Sequence, residues 1–217
     1  MRRAALVLSL ACALSLFAQT SPEWKKLEAG NGAFQGSYVT FDKLDVLRSA
    51  LANGQKPAVT VLSCSDSRVP PELVFRQNLG DIFVVRSAGN VTDSLGIASI
   101  EYAIIKGWTQ SIVVLAHEKC GAVEEAMKPR PKPDPDNHNL LALIDTIHAS
   151  FKGDPPECRD PKRKDQCWAF RAKENALYTV TDLQKRSPII RRAIQDKKVS
   201  VVVGYYELKS GKVVVLK

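Results

Sequence analysis

Two short stretches carry five residues that could do chemistry together. Cys64, Asp66 and Arg68 lie in VLSCSDSRVP (61–70), and His117 and Cys120 lie in AHEKCG (116–121). Two thiolates and one imidazole suit a zinc ion, one per chain, and three protein ligands leave the fourth tetrahedral position to water. That count marks a catalytic zinc site rather than a structural one. Asp66, two residues beyond Cys64, is close enough to become a fourth ligand and shut the site. Arg68 supplies the restraint, because a guanidinium can hold a carboxylate through two parallel hydrogen bonds. Held that way, Asp66 is free to accept a hydrogen bond from the water on the metal.

These residues need elements that bring them together. Both stretches follow short apolar, β-branched runs, 58–62 and 112–116, which read as buried parallel strands. A parallel sheet places its functional loops at the carboxyl ends of its strands, so Cys64, His117 and Cys120 are expected at one edge of one sheet. A third strand, 82–86, follows the Gly80-Asp81 turn and feeds a glycine-bearing loop, 87–91. Helical spacing or end signals mark 41–51 with Thr40 as N-cap, 95–106, 122–127, 140–151, 168–186, and a helix opened by Ser187-Pro188. The segment 21–34 reads as a surface wrap. Val199–Glu207 and Lys212–Leu216 flank a turn too short for a crossover and must pair antiparallel. The alternation of strands and helices predicts an α/β fold, three-layered, with a mixed and mainly parallel central sheet flanked by helices.

At CSDSR (64–68) and HEKCG (117–121) the chain resembles the β-class carbonic anhydrases. The resemblance extends to GDIFVVRSAGN (80–90), to SIEY (99–102) and to VVVGYYEL (201–208). It implies zinc on Cys64, His117 and Cys120, with Asp66 and Arg68 as catalytic residues. It implies that zinc-bound hydroxide hydrates carbon dioxide reversibly to bicarbonate and a proton. It further implies that Gln77 donates to a substrate oxygen, that Gly89 in the loop 88–90 lies beside the substrate, and that the chain forms a homodimer or tetramer. Two departures stand out. One extra residue separates Gln77 from Gly80, and Ala116 replaces the glycine that commonly precedes the family's histidine. Val61 stands where a bicarbonate-sensitive subgroup has tryptophan, which favours an open, water-bearing site. Two rival readings share these residues: a hydrolase of a carbon dioxide analogue such as carbonyl sulfide or carbon disulfide, and an extracytoplasmic zinc-binding protein without turnover. The Asp66–Arg68 pair argues against the latter.

The chain has 217 residues, 45% apolar and 25% charged, enough for one domain with a proper core. Residues 1–18 read as a secretory signal peptide, with Arg2 and Arg3 ahead of an apolar run that is too short to span a membrane. Residues 19–217 form the single zinc domain, and the export signal points to the periplasm, with no stable membrane span once the signal is removed. The formal charge of +8 includes those two arginines. The remaining basic runs have no interleaved aromatics, which argues against nucleic-acid binding and leaves a mild pull on anions such as bicarbonate. Of the five cysteines, Cys12 leaves with the signal and two are assigned to metal. Cys158 and Cys167 remain, and an oxidising compartment predicts a disulfide between them.

Overall fold

The computed structural model describes residues 21–36, 43–134 and 136–216. The signal segment, the Thr40 cap and the start of the helix expected from 41 fall outside these residues. In chain order the elements are α1 (Pro22–Gln35), α2 (Leu44–Leu51), β1 (Val59–Ser63), α3 (Pro71–Val74), β2 (Ile82–Arg86), α4 (Ser94–Ile105), β3 (Ser111–His117), α5 (Gly121–Met127), α6 (His138–His148), α7 (Pro156–Arg159), α8 (Lys164–Arg186), α9 (Pro188–Gln195), β4 (Ser200–Tyr206) and β5 (Val213–Val215). The sheet order is β2-β1-β3-β4-β5. The first four strands are parallel, and β5 joins β4 antiparallel, as the short 207–212 connection requires.

Apolar side chains on both faces bury β3 along its whole length, which is why its sequence runs apolar without alternating. Leu62, Ile112, Val114 and Ala116 face one core, closed by α4, α5, α6, α8 and α9. Val59, Val61, Val113, Leu115 and Val202 face the other, closed by Trp24 and Leu27 of α1 and by Val74 and Phe75 at α3. The result is a three-layer α/β fold.

Segment 21–34 does not wrap the surface as its composition suggests. Pro22 sits at the start of α1, where its missing N–H costs nothing, and the Ser21 hydroxyl accepts from Trp24 N at 3.2 Å. Trp24 then meets Phe75 edge-on, with ring centroids 6.2 Å apart. Gly30 allows this close seating, because a Cβ there would lie 1.9 Å from the Phe75 carbonyl oxygen. Asn31, buried at the same face, donates to the Val74 and Gly211 carbonyls and accepts from Val213 N, so one polar side chain ties α1 to both α3 and β5.

The Ser187-Pro188 signal forms as written. The Ser187 hydroxyl, itself fully buried, accepts from Ile190 N at 3.0 Å and donates to Oε1 of the half-buried Glu101 at 2.5 Å, joining α9 to α4. Ser187→Ala removes the cap and strands the carboxylate. Thermal or urea unfolding should show a loss of about 1–2 kcal/mol.

Cys158 of α7 and Cys167 of α8 are disulfide-bonded. Replacing both with serine frees a short loop in the unfolded chain, and urea unfolding should register a loss of about 2–3 kcal/mol. Reductant should lower the stability of the parent chain by a similar amount and leave the double variant unaffected.

Candidate metal centre

β1 and β3 are neighbours and parallel, with Ser63 opposite Leu115, so the residues that leave their carboxyl ends meet. Cys64 follows β1 directly and His117 is the last residue of β3. From there the chain turns through Lys119, in the left-handed region at φ 52°, to Cys120, which caps α5. One ligand atom from each of Cys64, His117 and Cys120 lies within 4.8 Å of the others, and all three residues are buried. The two sulfurs are 3.9 Å apart.

The histidine carries a test of fit. Its Nδ1 is 2.9 Å from the Glu118 carbonyl oxygen, which can only accept, so Nδ1 bears the proton. That leaves Nε2 with a bare lone pair, and Nε2 is buried without a hydrogen-bond partner. An unpaired buried nitrogen is costly, and a cation that accepts its lone pair removes the cost. Glu118 is itself fixed: its amide donates to the Tyr206 carbonyl and its carboxylate accepts from Leu208 N. The donor set of two sulfurs and one imidazole nitrogen fits zinc.

Asp66 stands at the rim of this cluster, with Oδ2 3.8 Å from His117 Nε2. Arg68 holds it on three sides: Nε and the backbone N–H both donate to Oδ1 at 2.9 Å, and a terminal guanidinium nitrogen donates to Oδ2 at 2.7 Å. The same guanidinium reaches the Lys119 carbonyl at 3.1 Å, clamping the two ligand loops together. The Arg68 side-chain bonds hold the Asp66 carboxyl down at about 2, so it is ionised at neutral pH. The pair favours the fold above the ordinary carboxylate range, and that contribution fades as pH falls toward 2. Without a metal the two thiols share one proton. The Cys120 S–H bond pulls Cys64 down to about 4, while that same bond and burial push Cys120 up.

Two other expected site residues, Gln77 and Gly89, are also placed by the structure. Gln77 is buried, and its Nε2 donates to the Phe75 and Arg76 carbonyls at 2.6 and 3.2 Å, in the turn after α3. It lines a cavity of about 330 Å³ with Glu72, Leu79 and Gly80, and none of Cys64, His117 and Cys120 lines that cavity. Gly89 is at the cluster, and its N–H donates to Cys64 Sγ at 3.2 Å. Gly89 has φ +69°, and a Cβ there would press within 2.6 Å of Ile147 Cδ1.

Three residues that the motifs do not single out also shape the site. Arg86, at the end of β2, donates to the Cys64 and Asp66 carbonyls at 2.9 and 2.7 Å and fixes the path of the first loop. Trp168 of α8 donates from its indole to the Cys120 carbonyl at 2.8 Å. Asn175, two turns further along α8, donates to the Gly89 carbonyl at 2.7 Å. Only Arg86 had a local signal, a charged residue at the carboxyl end of a strand.

A family model described as carbonic anhydrase matches residues 59–213, a span that contains both ligand loops. The chain belongs to the β-class carbonic anhydrase family. It is 32% identical over 191 residues to a carbonic anhydrase of Mycolicibacterium smegmatis, covering 88% of this chain and 90% of that protein. It is 47% identical over 105 residues to carbonic anhydrase 2 of Mycobacterium tuberculosis, and this match spans about half of each protein, 48% of this chain and 51% of the other. Among solved structures, a Coccomyxa β-carbonic anhydrase in complex with acetazolamide superposes with a TM-score of 0.70 at 24% identity, covering 79% of this chain and 77% of that one. A tetrameric β-carbonic anhydrase from Sordaria macrospora gives 0.63 at 24% identity, covering 87% and 93%. At that identity, both likenesses speak for the fold.

Proposed function

We propose that this β-class carbonic anhydrase family member catalyses the reversible hydration of carbon dioxide to bicarbonate and a proton, with one zinc ion held by Cys64, His117 and Cys120. The observation that carries the reading is the orphaned His117 Nε2 facing two buried sulfurs, with the one nearby carboxylate tied back by an arginine. When bound, zinc supplies Lewis acidity and a water acidified toward neutrality. The chain's own residues do the rest. Asp66, ionised and fixed by Arg68, accepts a hydrogen bond and so orients the attacking oxygen. Arg68 keeps the carboxylate from filling the open coordination position. Glu118 sets the histidine tautomer, and Arg86 fixes the loop that carries Cys64 and Asp66.

The reading is completed by export and self-association. The signal-like residues 1–18 support delivery to an oxidising compartment, and the Cys158–Cys167 disulfide is consistent with it. Among the described residues no helix is long and apolar enough to cross a membrane. Leu44 and Leu79 are exposed at the Gln77 cavity, which supports a partner copy at that face and a homodimer as the smallest assembly. The deciding experiment is stopped-flow carbon dioxide hydration by the zinc-loaded chain lacking residues 1–18. Turnover that depends on zinc supports the assignment. Full zinc occupancy without turnover removes it.

A further inference from the structure

The environment of the two sulfurs is set from a single helix. Trp168 and Asn175, two turns apart on α8, each hold a carbonyl of a sulfur-bearing or sulfur-contacting residue: Trp168 that of Cys120, Asn175 that of Gly89. The second contact has a chemical consequence. Gly89 occupies the left-handed region, where its peptide orientation has little steric restraint of its own. Its carbonyl is fixed by Asn175 while its amide N–H points at Cys64 Sγ, 3.2 Å away. An N–H aimed at a thiolate favours the ionised sulfur over the thiol and fixes its orientation, and such outer contacts tune how strongly a ligand holds its metal.

We propose that Asn175 is a positioning residue of the metal centre, which locks the Gly89 amide onto the Cys64 thiolate and thereby secures the metal. The proposal rests on the reading of Cys64 as a metal ligand. The side chain's own burial supports it. Asn175 is fully buried, and its Oδ1 has no hydrogen-bond partner. An amide with one end unsatisfied is a poor packing residue, since leucine would fill similar space without the desolvation cost. The end that is satisfied is the donor to Gly89. The hydroxyl of Thr179, one turn away and also buried, instead stays within the helix and donates to the Asn175 carbonyl. It therefore serves as a control on the same face.

The test uses the mature chain loaded with cadmium-113 and labelled with nitrogen-15. A scalar coupling between the Gly89 amide proton and the metal reports the N–H···S–Cd contact directly. We expect that coupling in the parent chain, its loss in Asn175→Leu, and extraction of cadmium by a chelator about 10–100-fold faster in that variant. Thr179→Val should keep the parent coupling and extraction rate. Bound cadmium with no Gly89 coupling in the parent overturns the proposal even if Asn175→Leu fails to fold. So does an Asn175→Leu variant with parental coupling and extraction, or a Thr179→Val variant that releases metal as fast as Asn175→Leu. Failure of the parent to bind cadmium at all removes the metal-site reading and this proposal with it.

Discussion

Replacing Cys64 and Cys120 together with serine should abolish zinc binding and, with it, carbon dioxide hydration. A neutral hydroxyl is a far weaker zinc ligand than a thiolate, and here two of three protein ligands change at once. Loss of a single outer-sphere contact commonly costs about 10–100-fold in metal affinity, so removing two inner ligands should exceed that range. The paired measurements are metal content by mass spectrometry after dialysis and hydration rate by stopped flow. The fold should persist, because Cys64 and Cys120 are two small members of a core built from many other residues on that face of the sheet, so circular dichroism should stay close to that of the parent. Zinc retained at one equivalent per chain after both substitutions would place the metal elsewhere and remove the proposed function.

Asp66→Asn should leave zinc in place and slow hydration by about 10²–10⁴-fold, the span covered by a positioned proton-accepting group. The substitution keeps the shape of the side chain but removes the charge that Arg68 clamps and that would accept from the attacking oxygen. Arg68→Ala should be slow for a different reason. Three hydrogen bonds now restrain Asp66. Loss of the two from the side chain leaves only the backbone N–H on Oδ1 and frees Oδ2, beside the His117 nitrogen, to take the open position on the metal. The two variants separate by spectroscopy on cobalt-substituted protein. Asp66→Asn should keep the parental coordination number, and Arg68→Ala should show an added oxygen ligand. An Asp66→Asn variant with parental rate would show that the carboxylate has no part in orienting the reaction.

The cysteine–histidine cluster was readable in the sequence because its members lie next to strand ends. Cys64 follows a short β-branched run and His117 closes another, so two local patterns and one rule of parallel sheets were enough to bring them together. Helix α1 was not readable for the opposite reason. Its buried face carries Asn31, whose side chain bonds to Val74, Gly211 and Val213, all more than 40 positions away, and Gly30, whose purpose is the approach of Phe75. Polar and glycine residues at core positions look like a loop until their partners are known. Asn175 and Trp168 were hidden in the same way. They lie mid-helix, and the carbonyls they hold are 86 and 48 residues away in sequence. The structure places Gly89 at the cluster, and the partners of its N–H and its carbonyl, Cys64 Sγ and Asn175, are 25 and 86 residues away in sequence.

The cystine that joins α7 to α8 also encloses a run of cleavable bonds. Arg159, Lys162, Arg163 and Lys164 all lie between Cys158 and Cys167. A trypsin-like protease in the surrounding medium that cuts after any of them therefore produces two fragments that stay covalently joined. On a denaturing gel the nicked chain would run near full length until a thiol is added, and only then separate into its two parts.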